Sequence, residues 1–487
     1  MKARYSFLLK LLFPVPFILG VIGYRLAGYS FNDAFYGSFC FYFVSVYSKA
    51  FNPIMELARW TAPLMTVSWL VMSLRGAFAY AKSVITSRRR DSVAIYCDSD
   101  SAEAGLLSTG IPRSFVEVID NDGTPKLAGK SRHSIVFMSD DRRSLEFYNK
   151  NEDKLSSSKV HIILRDLDPV NLKSVGAIYF YMPKQIALDL WMKHPLIKKD
   201  EPLKRTFKVA IIGSGSMSDQ ILSYGLSLNI FSEDQSIEYH TYGNWNLFKT
   251  MHSGLDLMNG DSITYHDKSW CLSLDELSEM DRIIISEEDN ARILEAVMAV
   301  CRDSDIYYYS RSNENPSEFY SSDRIHDFGT EAKILIPDNI LCDHVDQMAA
   351  ALYRISCDKN LKISRKTLSD SATGSEWTGL CGEEKREHQL RAYFYELYSS
   401  LIADGIPMAE NPFSMAPLEH LRWCRTKFLA LWQHGVPEDG SCGDVAGRIH
   451  RGLVPYEELP EEAADEELAH IIFMMHSFRT IRENKLD

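Results

Sequence analysis

The chain has 487 residues, enough for about three folded units, and its 45% hydrophobic and 24% charged residues are a globular balance in which any membrane-embedded part is a minority. The 53 basic and 66 acidic residues leave a formal net charge of -13, which argues against a nucleic-acid polymer as partner, because a phosphate backbone attracts basic surface. The 9 cysteines form no CxxC pair and have no histidine at zinc spacing, so they fit a reducing compartment better than a disulfide framework.

Residues 11–28 (LLFPVPFILGVIGYRLAG) and 60–80 (WTAPLMTVSWLVMSLRGAFAY) are apolar stretches near the ~20 residues that a membrane-crossing helix needs. Residues 35–48 are a shorter aromatic run with the length of a re-entrant or interfacial helix. Residues 1–90 are therefore expected to be the transmembrane region. Lys2, Arg4 and Lys10 precede the first stretch and Lys82, Arg88, Arg89 and Arg90 follow the second, against Lys49 and Arg59 between them. The positive-inside rule then puts both ends, and all that follows, in the cytoplasm, with the protein multi-pass in the inner membrane. A pore-forming hairpin and a plain two-helix anchor share this outline. A signal peptide lacks its small-x-small cleavage site here.

Residues 91–200 read as an α/β unit. Short apolar strands at 92–97, 134–138, 160–164 and 175–182 alternate with helix-length polar sequence, the pattern of a parallel sheet covered on both faces. Its first turn is Cys97-Asp98-Ser99-Asp100-Ser101, whose two carboxylates would repel a phosphate. The unit is expected to be a degenerate Rossmann-like fold serving packing and oligomer contacts, with a carboxylate pair for a cation as the alternative.

Residues 201–368 carry a second such unit. A strand at 207–212 runs into Gly213, Ser214, Gly215, Ser216 and Met217, with Ser218 in the place of a third glycine, and then into a helix. Gly213 would make the tight turn, and Gly215 would let backbone N–H groups at the helix start meet an anion, so these five residues are candidate ligand contacts. The alternative is a turn that only packs strand on helix. The next strand, 236–242, ends in Gly243-Asn244-Trp245, without the acid that holds the ribose of NAD, so another phosphate-bearing ligand fits better than NAD. Further strands are expected at 282–286, 306–309 and 333–337.

From 369 to 487 the pattern is helical, with amphipathic helices at 383–403 and 415–434 separated by a proline-rich break. Trp423 and Tyr456 could stack on a base, His420 and His450 could hydrogen-bond a phosphate or a base edge, and Arg422 could pair with an anion. The competing reading makes the aromatic residues core and the histidines partners of buried backbone.

A membrane hairpin followed by two Rossmann-like units, the second with VAIIGSGSMSDQIL, resembles the TrkA-N or regulator-of-potassium-conductance (RCK) architecture found behind two-helix channels. No Thr-Val-Gly-Tyr-Gly lies between the expected spans, so the carbonyl ladder that selects potassium is not encoded. The C-terminal segment resembles the ryanodine-receptor repeat (RyR) domain, through Glu419-His420, Arg422 and Trp423 on one helix, His450, the LVPYEEL run with Pro455 and Tyr456, and an acidic helix near Asp465. The resemblances imply a membrane α-helical hairpin plus two doubly wound α/β domains and an all-α RyR-like domain. They further imply a homotetrameric, channel-like effector gated by a nucleotide or cyclic-nucleotide signal in bacterial antiviral defence. No nucleophile elbow, P-loop or metal cluster appears, so catalysis is not expected. A non-conducting anchored sensor or scaffold is the second reading, and an NAD(P)-dependent enzyme the third.

Overall fold

The structure is a computed structural model and describes residues 12–45, 47, 52–98, 107, 109–120, 122–127, 131–172, 176–199, 205–287, 291–311, 320, 322–341, 344–357, 375–408 and 411–486. The basic residues Lys2, Arg4, Lys10 and Lys49, the turn residues Ser99, Asp100 and Ser101, and the start of the C-terminal segment at 369–374 lie outside them. The chain divides into two compact units, Met1–Arg89 and Arg90–Asp487.

Among the described residues, the first unit contains three helices, α1 (Val15–Leu26), α2 (Phe31–Phe41) and α3 (Pro53–Ser87). The Ser30 hydroxyl caps α2 by accepting from the Asp33 N–H, and Asn52 caps α3 ahead of a proline at its first position. Their shared core is small: Tyr24, Ala34, Phe41, Met55, Ala58 and Ala62. α1 and α3 approach so closely that a Cβ on Gly23 would collide with the Met55 side chain. The expected 11–28 span contains the 12-residue α1, the 60–80 span lies inside the 35-residue α3, and the aromatic run at 35–48 begins in α2 and outlasts it. Among the described residues, no helix is both long and apolar enough to cross a membrane. Trp60, Leu64, Val67, Trp69 and Phe78 of α3 nevertheless stand exposed, as do Ile18 and Ile22 of α1.

The second unit is built on two parallel sheets. Strands β1 (Val93–Cys97), β2 (Ser114–Val118), β3 (His133–Val136), β4 (Lys159–Leu164) and β5 (Ala177–Tyr181) pair in the order β2-β1-β3-β4-β5, with α4 (Asp141–Leu155) crossing from β3 to β4. α5 (Met182–Lys193) leads out of this sheet. The second sheet contains β6 (Thr206–Ile212), β7 (Ser236–Tyr242), β8 (Ser262–His266), β9 (Arg282–Ile285), β10 (Asp305–Tyr309) and β11 (Ile325–Phe328), in the order β11-β10-β9-β6-β7-β8. Its crossovers carry α6 (Ser216–Leu228), α7 (Asn246–Met251) and α8 (Ala291–Val300). Both are doubly wound, Rossmann-like α/β arrangements, and in the second the order reverses between β6 and β9.

β1 and β9 are buried at every position, which is why they read as unbroken apolar runs. β2, β8 and β11 lie at sheet edges, alternate or mix burial, and leave no such run in the sequence. The strand expected at 333–337 is not one: Glu331–Ile334 is a helical turn, and β11 just before it supplies the sixth strand. A short run such as KILIP is compatible with either conformation by periodicity.

The C-terminal helices are α9 (His344–Cys357), α10 (Gly382–Ala403), α11 (Pro412–Leu429) and α12 (Glu461–Leu486). Between α11 and α12 the two-residue strands β12 (Gln433–His434), β13 (Gly443–Asp444) and β14 (Ile449–His450) form a small sheet, so this segment departs from the expected all-α architecture. One hydrophobic core runs without a break from Ile95 and Ile135 of the first sheet through Trp191 of α5 and Val209 of β6 to Phe394, Leu418 and Phe478 of the C-terminal helices. Arg425 pins α11 to α6 and to the segment leading into β8, with one nitrogen 2.9 Å from the Leu226 carbonyl, another 3.0 Å from the Leu257 carbonyl, and Asp261 at 2.7 Å.

Candidate functional site

The glycine turn lies where the second sheet reverses, at the C-terminal end of β6. Gly213 has φ +139, and a Cβ there would strike the Ser286 hydroxyl. That hydroxyl lies 2.7 Å from the Ser218 hydroxyl and donates to the Ile212 carbonyl at 3.1 Å. Ser218, in the third-glycine position, thus fastens α6 to the end of β9. Gly215, with φ +87, precedes α6 and has open space where its Cβ would be, and Ser214 beside it is also exposed. Met217 packs on the core, whereas Ser216 hydrogen-bonds to Tyr181 and faces a cavity.

That cavity, of ≈ 310 Å³, is shared by all three parts of the second unit. The first sheet contributes Asp166 and Asp168 just after β4, and Tyr181 at the end of β5. α6 contributes Ser216, Asp219, Gln220 and Ser223, and α7 contributes Leu247 and Phe248, with His252 just beyond it. The C-terminal segment closes it with Glu383, Arg386 and Leu390 of α10, Thr426, Leu429, Ala430 and Leu431 at and just past the end of α11, and Arg448.

Most of its charges already have protein partners. The Asp168 carboxylate accepts from the Val170 N–H at 3.0 Å and from Gln220 at 3.4 Å, and lies 3.8 Å from Arg386. Glu383 accepts from the Trp432 indole and lies 3.5 Å from Arg448, which donates to the Ala430 carbonyl at 2.8 Å. His252 is held below its ordinary range, first by burial and then by Arg386, and so is neutral. Asp219 differs. Burial pushes its carboxyl up to about 6, and among the described residues no hydrogen bond or ion pair reaches that carboxylate.

The residues expected in the C-terminal segment fall into two groups. Glu419 and Arg422 are buried inside the protein, where Arg391 meets Glu419 at 2.9 Å and Arg422 meets it at 2.7 and 2.8 Å. Arg422 also donates to the Thr426 hydroxyl at 3.2 Å, so its charge is satisfied internally rather than offered to an anion. His420, Trp423, His450 and Tyr456 come together as one ring cluster, with centroids 5.6 Å apart for His420 and Trp423, 5.7 Å for His420 and Tyr456, and 5.0 Å for Trp423 and His450. Pro455 sets the start of the turn that presents Tyr456.

His420 places Nδ1 2.8 Å from both oxygens of Glu467 and Nε2 2.8 Å from the Val454 carbonyl. Burial alone would lower its pKa, but the hydrogen bonds to Cys424 and Glu467 outweigh it and raise the imidazole to about 10. It is therefore an imidazolium donating from both nitrogens. Cys424 lies 3.4 Å from Nε2, which gives the residue order of a thiol hydrolase. The sulfur, however, is wholly buried, and burial raises its pKa, so it is no exposed thiolate nucleophile.

In the first sheet, the Asp98 carboxylate accepts from the Ser139 N–H at 2.9 Å and hydroxyl at 2.6 Å and pairs with Arg143 at 2.7 Å. It is a structural group, and no cluster of metal-binding side chains occurs among the described residues. The cavity acids and arginines are spread from Asp166 to Arg448, and only Asp219, next to the glycine turn, has a local signal in the sequence.

No family model matches the chain, and no curated protein matches it in sequence. Among solved structures it is similar to GsuK bound to ADP, at 13% identity over 69% of this chain and 95% of that chain, with a TM-score of 0.32. It is also similar to the malic enzyme of Entamoeba histolytica, at 11% identity over 92% of this chain and 96% of that chain, with a TM-score of 0.28. A D-isomer-specific 2-hydroxyacid dehydrogenase family protein from Aeromonas salmonicida subsp. salmonicida matches at 11% identity over 56% of this chain and 97% of that chain, with a TM-score of 0.22. The Rossmann-like character of both α/β units rests on their own strand order and parallel register.

Proposed function

We propose that the chain is a ligand-gated membrane effector, channel-like in plan, whose second unit binds a nucleotide-type small molecule and whose first unit answers by opening a pore or disturbing the bilayer. The observation that carries this reading is the cavity built jointly by the first sheet, α6 and the C-terminal helices. A ligand there touches three separately encoded segments at once, so it can favour one arrangement of them over another, which is what a gating ligand must do. The exposed Trp60, Leu64, Val67, Trp69 and Phe78 on α3 support a surface that meets lipid or a neighbouring copy rather than water. Residence in the inner membrane, homotetrameric assembly and a role in bacterial antiviral defence complete the proposal on the sequence resemblances alone. The ligand is bound and released unchanged in this reading, with no catalytic step.

Reconstitution tests it. Full-length protein in dye-loaded liposomes, exposed to a panel of purine nucleosides and nucleotides, is expected to release dye with whichever members bind, and mass spectrometry is expected to recover those members intact. Vesicles that stay sealed with every binding compound defeat the effector reading.

A further inference from the structure

The cavity's chemistry narrows its ligand further, on the reading that this cavity is the ligand site. Its ≈ 310 Å³ lies at the lower end of the roughly 300–1,000 Å³ of small-molecule sites, room for something the size of a nucleoside and not for an enclosed dinucleotide. Leu247, Phe248, Leu390 and Leu429 give it apolar walls suited to a flat ring. Its fixed charges oppose a phosphate chain: Asp166, Asp168, Asp219 and Glu383 outnumber Arg386 and Arg448 by four to two. Both arginines, moreover, face acids, Asp168 and Glu383, with which they already interact.

What the cavity lacks is a donor for Asp219. A half-buried carboxylate without a hydrogen bond loses hydration it does not recover, and a ligand supplying N–H groups restores that loss. Above about pH 6 the group is ionised and offers two acceptor oxygens. Among the common bases, guanine presents two adjacent donors, N1–H and the exocyclic amine, that can meet both oxygens together. Adenine sets an acceptor beside its amine, and that acceptor would face a carboxylate oxygen. We infer that the cavity takes a guanine base, free as the nucleoside or carried on a nucleotide whose phosphates stay outside, with its paired N–H donors on the Asp219 carboxylate.

The test is isothermal titration of the full chain in detergent at pH 7.5 with guanosine, adenosine, GMP and GTP. Guanosine is expected to bind, with adenosine at least tenfold weaker. GMP binding as well as guanosine identifies the nucleotide as an equally acceptable source, and GMP binding at least tenfold weaker identifies the nucleoside; GTP is expected to be the weakest of the guanine series. Asp219→Asn is expected to lose guanosine affinity at least tenfold while its melting temperature holds or rises, since the variant removes an uncompensated charge. Leu247→Trp, at an exposed position on the cavity wall (70% exposed), is expected to weaken every ligand without unfolding the chain. The inference is overturned if guanosine does not bind, if Asp219→Asn binds it as well as the parent does, or if GTP binds more tightly than guanosine. These failures are separate from that of the effector reading: guanosine bound by protein in sealed liposomes defeats the effector alone, whereas dye release by adenine nucleotides that guanine compounds cannot match defeats the guanine assignment alone.

Discussion

His420 is a buried imidazolium with its proton shared toward Glu467, and this makes the C-terminal segment sensitive to pH in a stated direction. Its folded-state pKa of about 10 lies above the ~6.5 of an unfolded histidine, so the folded chain holds this proton more tightly. The stabilisation is complete below ~6.5 and is lost as pH rises through about 10. Glu467→Gln is therefore expected to cost roughly 1–3 kcal/mol at pH 6, the range of a charge-assisted hydrogen bond, and much less at pH 10.5, measured by urea denaturation at the two values. At this scale the sequence is legible only where the requirement is local. Gly213 and Gly215 can be picked out because a turn with positive φ calls for glycine within a few residues. Arg422 cannot be assigned that way, because the same guanidinium serves a buried carboxylate or an arriving anion, and nothing within the helix says which side Arg391 will come from.

Between elements, the Arg391–Glu419–Arg422 triad joins α10 to α11 inside the core. Removing the central carboxylate leaves two guanidinium groups facing each other away from water, so Glu419→Gln is expected to cost about 3–5 kcal/mol, read as a fall in the midpoint of chemical denaturation. Replacing all three residues with apolar ones of similar volume is expected to cost far less, because no buried charge is then left without its partner. The strands show why some elements can be read from a sequence and others cannot. β1, β4, β6 and β9 are covered on both faces and announce themselves as apolar runs. β2 and β8 close the edges of their sheets, β2 mixing buried with partly buried positions and β8 partly buried with exposed ones, and neither leaves an unbroken apolar run. The start of α11 is legible for another reason, since Asn411 followed by Pro412 combines a side-chain cap with a residue that needs no N–H partner.

Across the whole second unit, the two sheets and the C-terminal helices share one core, although composition divides the same stretch at about residues 200 and 368. Periodicity tells which face of an element is apolar but not which neighbour covers it, so a shared core reads in sequence as separate domains. Calorimetry of residues 90–487 is expected to show a single unfolding transition, and a version ending at residue 374 is expected to fail to fold, because Phe394, Leu418 and Phe478 complete the core beneath the second sheet. Two separated transitions would contradict this. α5 follows the first sheet in the chain yet packs chiefly on α6 of the second, with the Trp191 indole donating to the Ile221 carbonyl at 2.8 Å and Arg282 of β9 reaching the His194 carbonyl at its end. For heredity, this helix is a clause belonging to two sentences. A recombination breakpoint between the sheets would leave one half carrying a helix shaped for a partner it no longer has, so exchange between related genes should favour the pair as a single transferable block.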